Sequence, residues 1–444
     1  MVNSVVIAFT AATLVRSEAA RRIMGLALVL VYIALNLLSP ADMFPVLGPY
    51  RPILILALAS LPPTLITRLE SPEIGKLRTQ PILMFLFFAF ACSSWFPHGG
   101  LGANLVTFLD LAPSVIVYFL GLVHFRSPLR LRLLRATLVA VAVYVVATAL
   151  SQIPLARGTG ESTPYVLVSG EEANLELRIH GLGMLDDPNI FGQFLLLILP
   201  LLFVGKRETG LGRGYFFAIP IAVLLLIGIY FTNSRGTGTG LGVLIALYLI
   251  QRFKKAGKVG AAIVGPLSLV AINATQSRKV SMAGGLDRIA IWSDGMAFFK
   301  SSPLWGIGRG GFVEREDWTA HNSYLLCAAE LGMIGFFLWM SILVVTMIQL
   351  NRVTKVVGKS DPALARWAVP VKLSLGVYLF TSYFLSCTYN LALFLLLGMA
   401  GAIIAVAGGD ETIPLRGTKW PAWSLGLCVG VLTLIYVMLR LRAV

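Results

Sequence analysis

The sequence predicts an all-α polytopic membrane protein with about twelve to fourteen transmembrane helices. Three observations predict it. The 444 residues are 57% hydrophobic and only 13% charged, apolar runs recur along the whole chain, and lysines and arginines gather in the short gaps between those runs. A soluble domain carries about 25% charged residues, and the mean hydropathy of +0.82 fits no water-soluble core. A helix needs roughly 20 mainly apolar residues to cross a bilayer. Backbone polar groups in lipid must be satisfied internally, so the runs are expected as helices and not as open sheet.

The runs fall at 24–38, 52–66, 82–96, 105–122, 134–153, 190–204, 215–231, 240–250, 259–272, 324–347, 367–385, 391–406 and 423–439. Lysine and arginine retain loops in the cytoplasm. Placing the loops near Arg16, Arg68, Arg126, Lys206, Arg252, Arg352 and Arg416 inside collects most of the 36 basic residues there. One end disagrees: alternating these spans puts Arg440 and Arg442 outside, so either the last run does not fully cross or the count is off by one. Residues 1–15 are apolar without a basic n-region or a small-residue cleavage pattern, and read as an interfacial or partly inserted helix. The chain, 1–444, is taken as a single membrane domain with two external loops, about 151–189 and 274–323. Long loops on a rigid scaffold are where binding and catalysis concentrate.

Several function classes drop out. A formal charge of +15 in a soluble protein would suggest nucleic acid. Here no basic domain stands outside the membrane runs, so the excess reads as inside loops facing anionic membrane lipids, with no nucleic acid as partner. Cys92, Cys327, Cys387 and Cys428 lack CxxC spacing, which argues against a disulfide framework or a zinc site. His180, close to Asp186 and Asp187, belongs to no HExxH or regular ligand spacing, so no metal and no cofactor are expected. Gly306 to Gly311 matches G-x-G-x-x-G, but no strand or βαβ unit frames it. A flexible loop, or a backbone nest for an anion, accounts for it better than a dinucleotide site. His98, in an external turn, and His124, at an inner boundary, receive no role.

The residues that can carry chemistry sit at the outer ends of the runs. Arg235 lies in Thr232-Asn233-Ser234-Arg235-Gly236. It is either a snorkelling interfacial arginine or an anion site, whose guanidinium fork matches phosphate oxygens and whose neighbour Gly236 lets backbone come close. His321 lies in Ala320-His321-Asn322-Ser323-Tyr324, just before a span that Asn322 or Ser323 can cap. It is either a polar interfacial residue or a neutral imidazole able to take a proton from a hydroxyl. Asp110 and Glu330 lie inside apolar runs, where an ionisable group either pairs with an arginine or serves a site. Arg178, Arg288 and Arg309 are the most informative of the other external basic residues.

Three segments together resemble the O-antigen ligase and O-antigen polymerase superfamily of bacterial membrane glycosyltransferases. They are Asp187-Pro188-Asn189 leading into a span, Ser234-Arg235-Gly236 between two spans, and His321-Asn322-Ser323-Tyr324-Leu325 followed by Glu330-Leu331-Gly332. The last comes after an external loop carrying Pro303-Leu304-Trp305-Gly306-Ile307-Gly308. The resemblance covers about 178–350; the N-terminal third is similar only in hydropathy. It implies a GT-C-like helical fold in the bacterial inner membrane with its active site facing the periplasm. It implies transfer of a glycan from undecaprenyl pyrophosphate to an acceptor hydroxyl, on lipid A-core or on a lipid-linked glycan. By matching motif, His321 would be the general base and Arg235 a pyrophosphate contact, with Arg288 a second one. Arg178 would bind phosphate, and Glu330 would orient the site.

The acceptor separates a ligase from a polymerase. The modest external loops favour the ligase. A polysaccharide flippase or transporter is the competing class; it expects polar groups along a path through the bilayer midplane, whereas the charges here gather at the outer ends.

Overall fold

The computed structural model describes residues 22–50, 52–169, 175–204, 213–275, 282–316, 318–356 and 361–442. The expected interfacial helix at 1–15, Arg16 and Lys206 lie outside the described residues. Helices follow the apolar runs: α1 (Arg22–Leu38), α2 (Pro52–Leu69), α3 (Thr79–Cys92), α4 (Leu101–His124) and α5 (Pro128–Thr159). A hairpin of β1 (Val166–Ser169) and β2 (Glu176–Ile179) comes next. Then come α6 (Pro188–Leu202), α7 (Arg213–Phe231), α8 (Arg235–Thr275), α9 (Met282–Ser301), α10 (Ser323–Val356), α11 (Pro362–Thr381), α12 (Leu391–Val406) and α13 (Trp420–Arg442). Among the described residues, seven helices are long and apolar enough to cross a membrane, namely α2, α3 with the turns that extend it to His98, α4, α5, α10, α11 and α13, and four shorter apolar helices accompany them. The chain is an all-α polytopic membrane protein, and the last run, with its Trp420–Leu441 stretch, is long enough for a full crossing.

Burial sorts these helices by how their apolar residues are distributed. Helices α6 and α12 are apolar on every face and almost wholly buried, as an all-round apolar helix must be inside a bundle. Helices α2 and α13 lie at the periphery: 22% of each span is buried, against 61% for α10 and α11. They turn Leu58, Leu65, Leu425 and Val429 outward, a surface suited to lipid and not to water. Small residues let backbones close up where α4 meets α12; a Cβ on Gly121 would lie 3.1 Å from Gly398 Cα. Polar residues inside the bundle bond to one another: Gln80 donates to Thr346 at 2.7 Å and Gln193 to Thr381 at 2.6 Å.

Three segments carry structure that the sequence reading leaves out. The segment about 151–189 is not all loop: α5 extends to Thr159, and β1 pairs antiparallel with β2, Leu167 opposite Arg178. Four-residue strands carry too little alternation to be seen in sequence. The segment about 274–323 contains α9. The runs at 240–250 and 259–272 belong to one continuous helical segment, α8. That segment nonetheless doubles back, because a Cβ on Gly257 would collide with the Leu249 carbonyl oxygen, whereas eight residues of straight helix extend about 12 Å. The reversal falls at the basic stretch where the sequence predicts an inside loop.

One crossing shapes the region around the external loop. Helix α10 is broken at Gly332, whose φ of 60° and ψ of −168° are open only to glycine. Pro303 to Gly306 passes through the break. Met333 N–H donates to the Pro303 carbonyl at 2.7 Å, Ile307 N–H to Ala329 at 3.0 Å and Gly308 N–H to Glu330 at 3.0 Å. A Cβ on Gly306 would strike the Glu330 carbonyl, and one on Gly332 the Leu304 carbonyl. Gly332→Ala is therefore expected to lower the thermal unfolding midpoint in detergent, read by tryptophan fluorescence, with a backbone cost of about 1–3 kcal/mol before any clash. Gly430→Ala, inside α13 with nothing within 4 Å of the added Cβ, is expected to hold the midpoint or raise it slightly. Equal midpoints for both variants would contradict the crossing.

Candidate active site

Three helix N-termini meet at one end of the bundle, and each begins at a motif singled out in the sequence. Asp187 caps α6, its Oδ1 accepting from Asn189 N–H at 2.6 Å and Ile190 N–H at 3.1 Å. Ser234 Oγ accepts from Thr237 N–H at 3.3 Å at the start of α8, and Arg235 is the first residue of that helix. Asn322 Oδ1 accepts from Tyr324 and Leu325 N–H, both at 3.0 Å, at the start of α10. Asn233 (φ 48°) and His321 (φ 46°), just before the second and third of these caps, both occupy the left-handed region that few non-glycine residues enter. Each helix N-terminus carries the equivalent of roughly half a positive charge.

The hairpin ties two of these termini together. Arg178, on β2, is buried; its Nε donates to the Thr232 carbonyl at 3.0 Å and its Nη2 to Asn189 Oδ1 at 3.1 Å. Asn233 in turn bonds Glu176 through its side chain. The predicted site arginine Arg178 thus links the Asp187-Pro188-Asn189 turn to the Ser234-Arg235-Gly236 turn.

The third terminus is fixed by the residues after His321. Ser323 Oγ donates to the Leu385 carbonyl at 2.6 Å and accepts from Cys387 N–H at 2.7 Å, while Ser323 N–H donates to Ser382 at 2.8 Å. Tyr324 reaches the Leu379 carbonyl at 2.7 Å. These bonds hold residues 382–388 against α10, and Phe384 in that stretch lies beside Gly236, 3.6 Å from an added Cβ. Trp292 of α9 donates to the Ala320 carbonyl at 2.9 Å. Arg288, four residues earlier on α9 and exposed, therefore stands on the same helix face toward His321. His321 is half-buried. Burial pushes its pKa below the ordinary value, the Arg288 cation adds to that, and the Asp187 carboxylate opposes it.

Glu330 and Asp110 belong to a second cluster. Glu330 is buried, and its Oε1 accepts from Gly310 N–H at 2.9 Å. The glycine-rich loop is thus tied to the Glu330 side chain through the Gly310 N–H. Arg309 Nη1 bonds Asp110 Oδ2 at 2.9 Å, and its guanidinium sits 5.1 Å from the Tyr389 ring centroid. Asp110 accordingly pairs with an arginine, one of the two roles open to it from sequence.

Several roles had no sequence signal. His98 bonds the Gly306 carbonyl at 2.9 Å, and Trp95 the Arg309 carbonyl at 2.8 Å, so the turn before α4 braces the loop. His124 bonds Thr64 at 2.9 Å and His180 bonds Gly181 at 2.8 Å. Asp410 caps α3 from more than 300 residues away, accepting from Thr79 N–H at 2.7 Å. The four cysteines are free thiols. Among the described residues no group of three or more His, Cys, Asp or Glu side chains stands together.

The pinning of residues 382–388 is testable. Ser323→Ala removes the partners of the Leu385 carbonyl and of Cys387 N–H, and is expected to destabilise the protein by about 1–3 kcal/mol for each group left unpaired. Thermal unfolding in detergent measures it, and an unchanged midpoint would contradict the role assigned to Ser323.

A search of curated proteins found no match. A family model described as O-antigen ligase matches residues 220–340. The matched stretch contains the Arg235 turn, Arg288, Arg309, His321 and Glu330, and ends before residues 382–388. Over those residues the chain is similar to the O-antigen ligase family.

Proposed function

We propose that the protein transfers a glycan from undecaprenyl pyrophosphate to an acceptor hydroxyl at the periplasmic face of a bacterial inner membrane, without a metal, and that it is an O-antigen ligase with lipid A-core as acceptor. The observation that carries this reading is the meeting of His321, Arg288 and three helix N-termini at one end of the bundle. An imidazole held neutral by burial and a nearby cation suits a base, not a resting acid. Helix N-termini and guanidinium groups suit a pyrophosphate.

In the proposed step the acceptor oxygen attacks the anomeric carbon while His321 takes its proton. The bond from that carbon to the pyrophosphate oxygen breaks, and the electron pair leaves with undecaprenyl pyrophosphate. Arg235 and Arg288 neutralise the charge that develops on the leaving oxygens, which is where preorganised charge lowers a barrier most. Arg178 supports the phosphate site through the two turns it joins. Asn322 fixes the helix start that carries His321, and Glu330 and Asp110 hold the adjoining loop. A single in-line displacement inverts the anomeric configuration; retention in the product would contradict it.

The competing transporter class expects polar groups lining a path at mid-depth. Gln80 and Gln193, amides inside the bundle, are instead bonded to Thr346 and Thr381 on neighbouring helices, the pattern of interhelical glue.

The pH profile tests the base. Transfer requires neutral His321, so the rate falls as pH drops through its pKa. Arg288→Gln removes a cation that disfavours the imidazolium; the pKa rises, and the acid limb of kcat/KM moves to higher pH. Asp187→Asn removes a carboxylate that favours the imidazolium, and moves the limb the other way. A limb that stays in place in both variants would remove His321 from the role. The acceptor is tested with purified protein in vesicles containing lipid-linked glycan. Glycan appearing on lipid A-core supports the ligase, and longer lipid-linked chains formed without lipid A-core would make the protein a polymerase.

A further inference from the structure

The other end of the bundle, which the distribution of lysine and arginine places inside, gathers four arginines. Arg22 lies on α1, Arg68 in the last turn of α2, Arg126 in the turn between α4 and α5, and Arg130 in the first turn of α5. They come from separate stretches of chain. Arg126 is nonetheless close enough to Arg22, Arg68 and Arg130 for each to oppose its charge, and Arg22 acts on Arg130 as well. Two carboxylates answer them: Glu70 bonds Arg22 and Glu73 bonds Arg126, both at 3.2 Å. Arg126 Nε donates to the Val123 carbonyl at 2.7 Å and Arg130 Nη1 to the His124 carbonyl at 3.3 Å, so both cover the end of α4. The Arg68 side chain makes no hydrogen bond or ion pair among the described residues. It lies against the short helix Pro72–Lys76, 3.9 Å from a Cβ added to Gly75. Helix α5 also starts here with no acid in its first turn, and its positive end adds to the same field. Retention of a loop in the cytoplasm requires only charge in water, whereas these four side chains are half-buried. Burial pushes the Arg126 pKa below its ordinary value; Glu73 opposes the shift and the other three arginines add to it. Exposed apolar side chains flank the cluster: Ile23 beside Arg22, Leu65 and Leu69 around Arg68, and Leu129 beside Arg130.

We propose that Arg22, Arg68, Arg126 and Arg130 form a binding site for an anionic phospholipid of the cytoplasmic leaflet, with the phosphate among the guanidinium groups and the acyl chains along Leu65 and Leu69. Guanidinium forks match phosphate oxygens, and basic pockets between spans on this side of a membrane suit anionic head groups. The chemistry selects the ligand class. A zwitterionic lipid carries a cation of its own, which the four arginines repel. Free phosphate meets the charges but leaves the apolar flank without a partner. An acidic protein would have to displace lipid from Leu65 and Leu69, which lie on the peripheral helix α2. A bound phosphate relieves the repulsion among the arginines, and joins α1, α2 and the α4–α5 turn at one point. His124 lies about 21 Å along α4 from Asp110, so this site stands apart from the candidate active site. It does not depend on the glycosyltransferase reading.

The test is thermal unfolding of the full-length protein in detergent, with phosphatidylglycerol, phosphatidylcholine or inorganic phosphate added at equal concentration. A ligand that binds only the folded state raises the midpoint. Phosphatidylglycerol is expected to raise the wild-type midpoint by a few degrees, and the other two additions by less than half as much. Arg68→Gln and Arg130→Gln are each expected to lose part of that rise, and the double variant most of it. The Arg68 side chain has no partner in the fold, so Arg68→Gln keeps the test decisive if Arg130→Gln fails to fold. Arg416→Gln, at an exposed arginine of another inside loop, is expected to keep the full rise. A full rise in both Arg68→Gln and the double variant overturns the site. An equal loss in Arg416→Gln also overturns it, because the effect would then belong to total surface charge. An equal rise with phosphatidylcholine or with inorganic phosphate overturns the anionic-lipid assignment, and no rise in wild type removes the site altogether.

Discussion

Two stretches of backbone in direct contact hold the site together. Where Pro303 to Gly306 crosses α10, neither Gly306 nor Gly332 has room for a side chain, and the break at Gly332 turns residues 323–331 into a short helix of its own. The Glu330 carboxylate, at the end of that short helix, holds the glycine loop through Gly310. Asn322, at its start, presents His321. Ser323 then pins residues 382–388 across it. The short helix is therefore fixed at both ends, so the imidazole is positioned by backbone contacts and not by a flexible loop.

The second constraint is electrostatic. Three positive helix ends, with Arg235 and Arg288, gather at one end of a bundle whose buried residues are mostly apolar. Like charges brought together this way repel one another, and an anion relieves the repulsion. Asp187 supplies one such charge from within, capping α6 while facing His321. A diphosphate would supply more. Burial, and the Arg288 cation after it, push the pKa of the half-buried His321 below its ordinary value.

Much of this is legible in the sequence, for identifiable reasons. Apolar runs and basic loops reveal the helices because bilayer thickness and lysine or arginine retention act on composition alone. The motif around His321 is legible because its residues divide the work among them. Asn322 caps the helix, Ser323 pins the facing segment and Tyr324 anchors the turn. Contacts distant in sequence are not legible. Nothing local marks His98 as a brace for Gly306, Arg178 as a bridge between two turns, or Asp410 as a cap for α3. The contact between the glycine loop and Glu330, 20 residues along the chain, emerges only when the chain is folded.

Whether His321 acts as the base is measured most directly by single-turnover transfer. Protein loaded with lipid-linked glycan is mixed with saturating lipid A-core, and the rate of glycan appearance is compared between wild type and His321→Ala. Loss of a positioned general base is expected to slow that single step by about 10²–10⁴-fold, with lipid-linked donor still bound. A His321→Ala protein that transfers at the wild-type rate would contradict the role of His321 and the mechanism built on it.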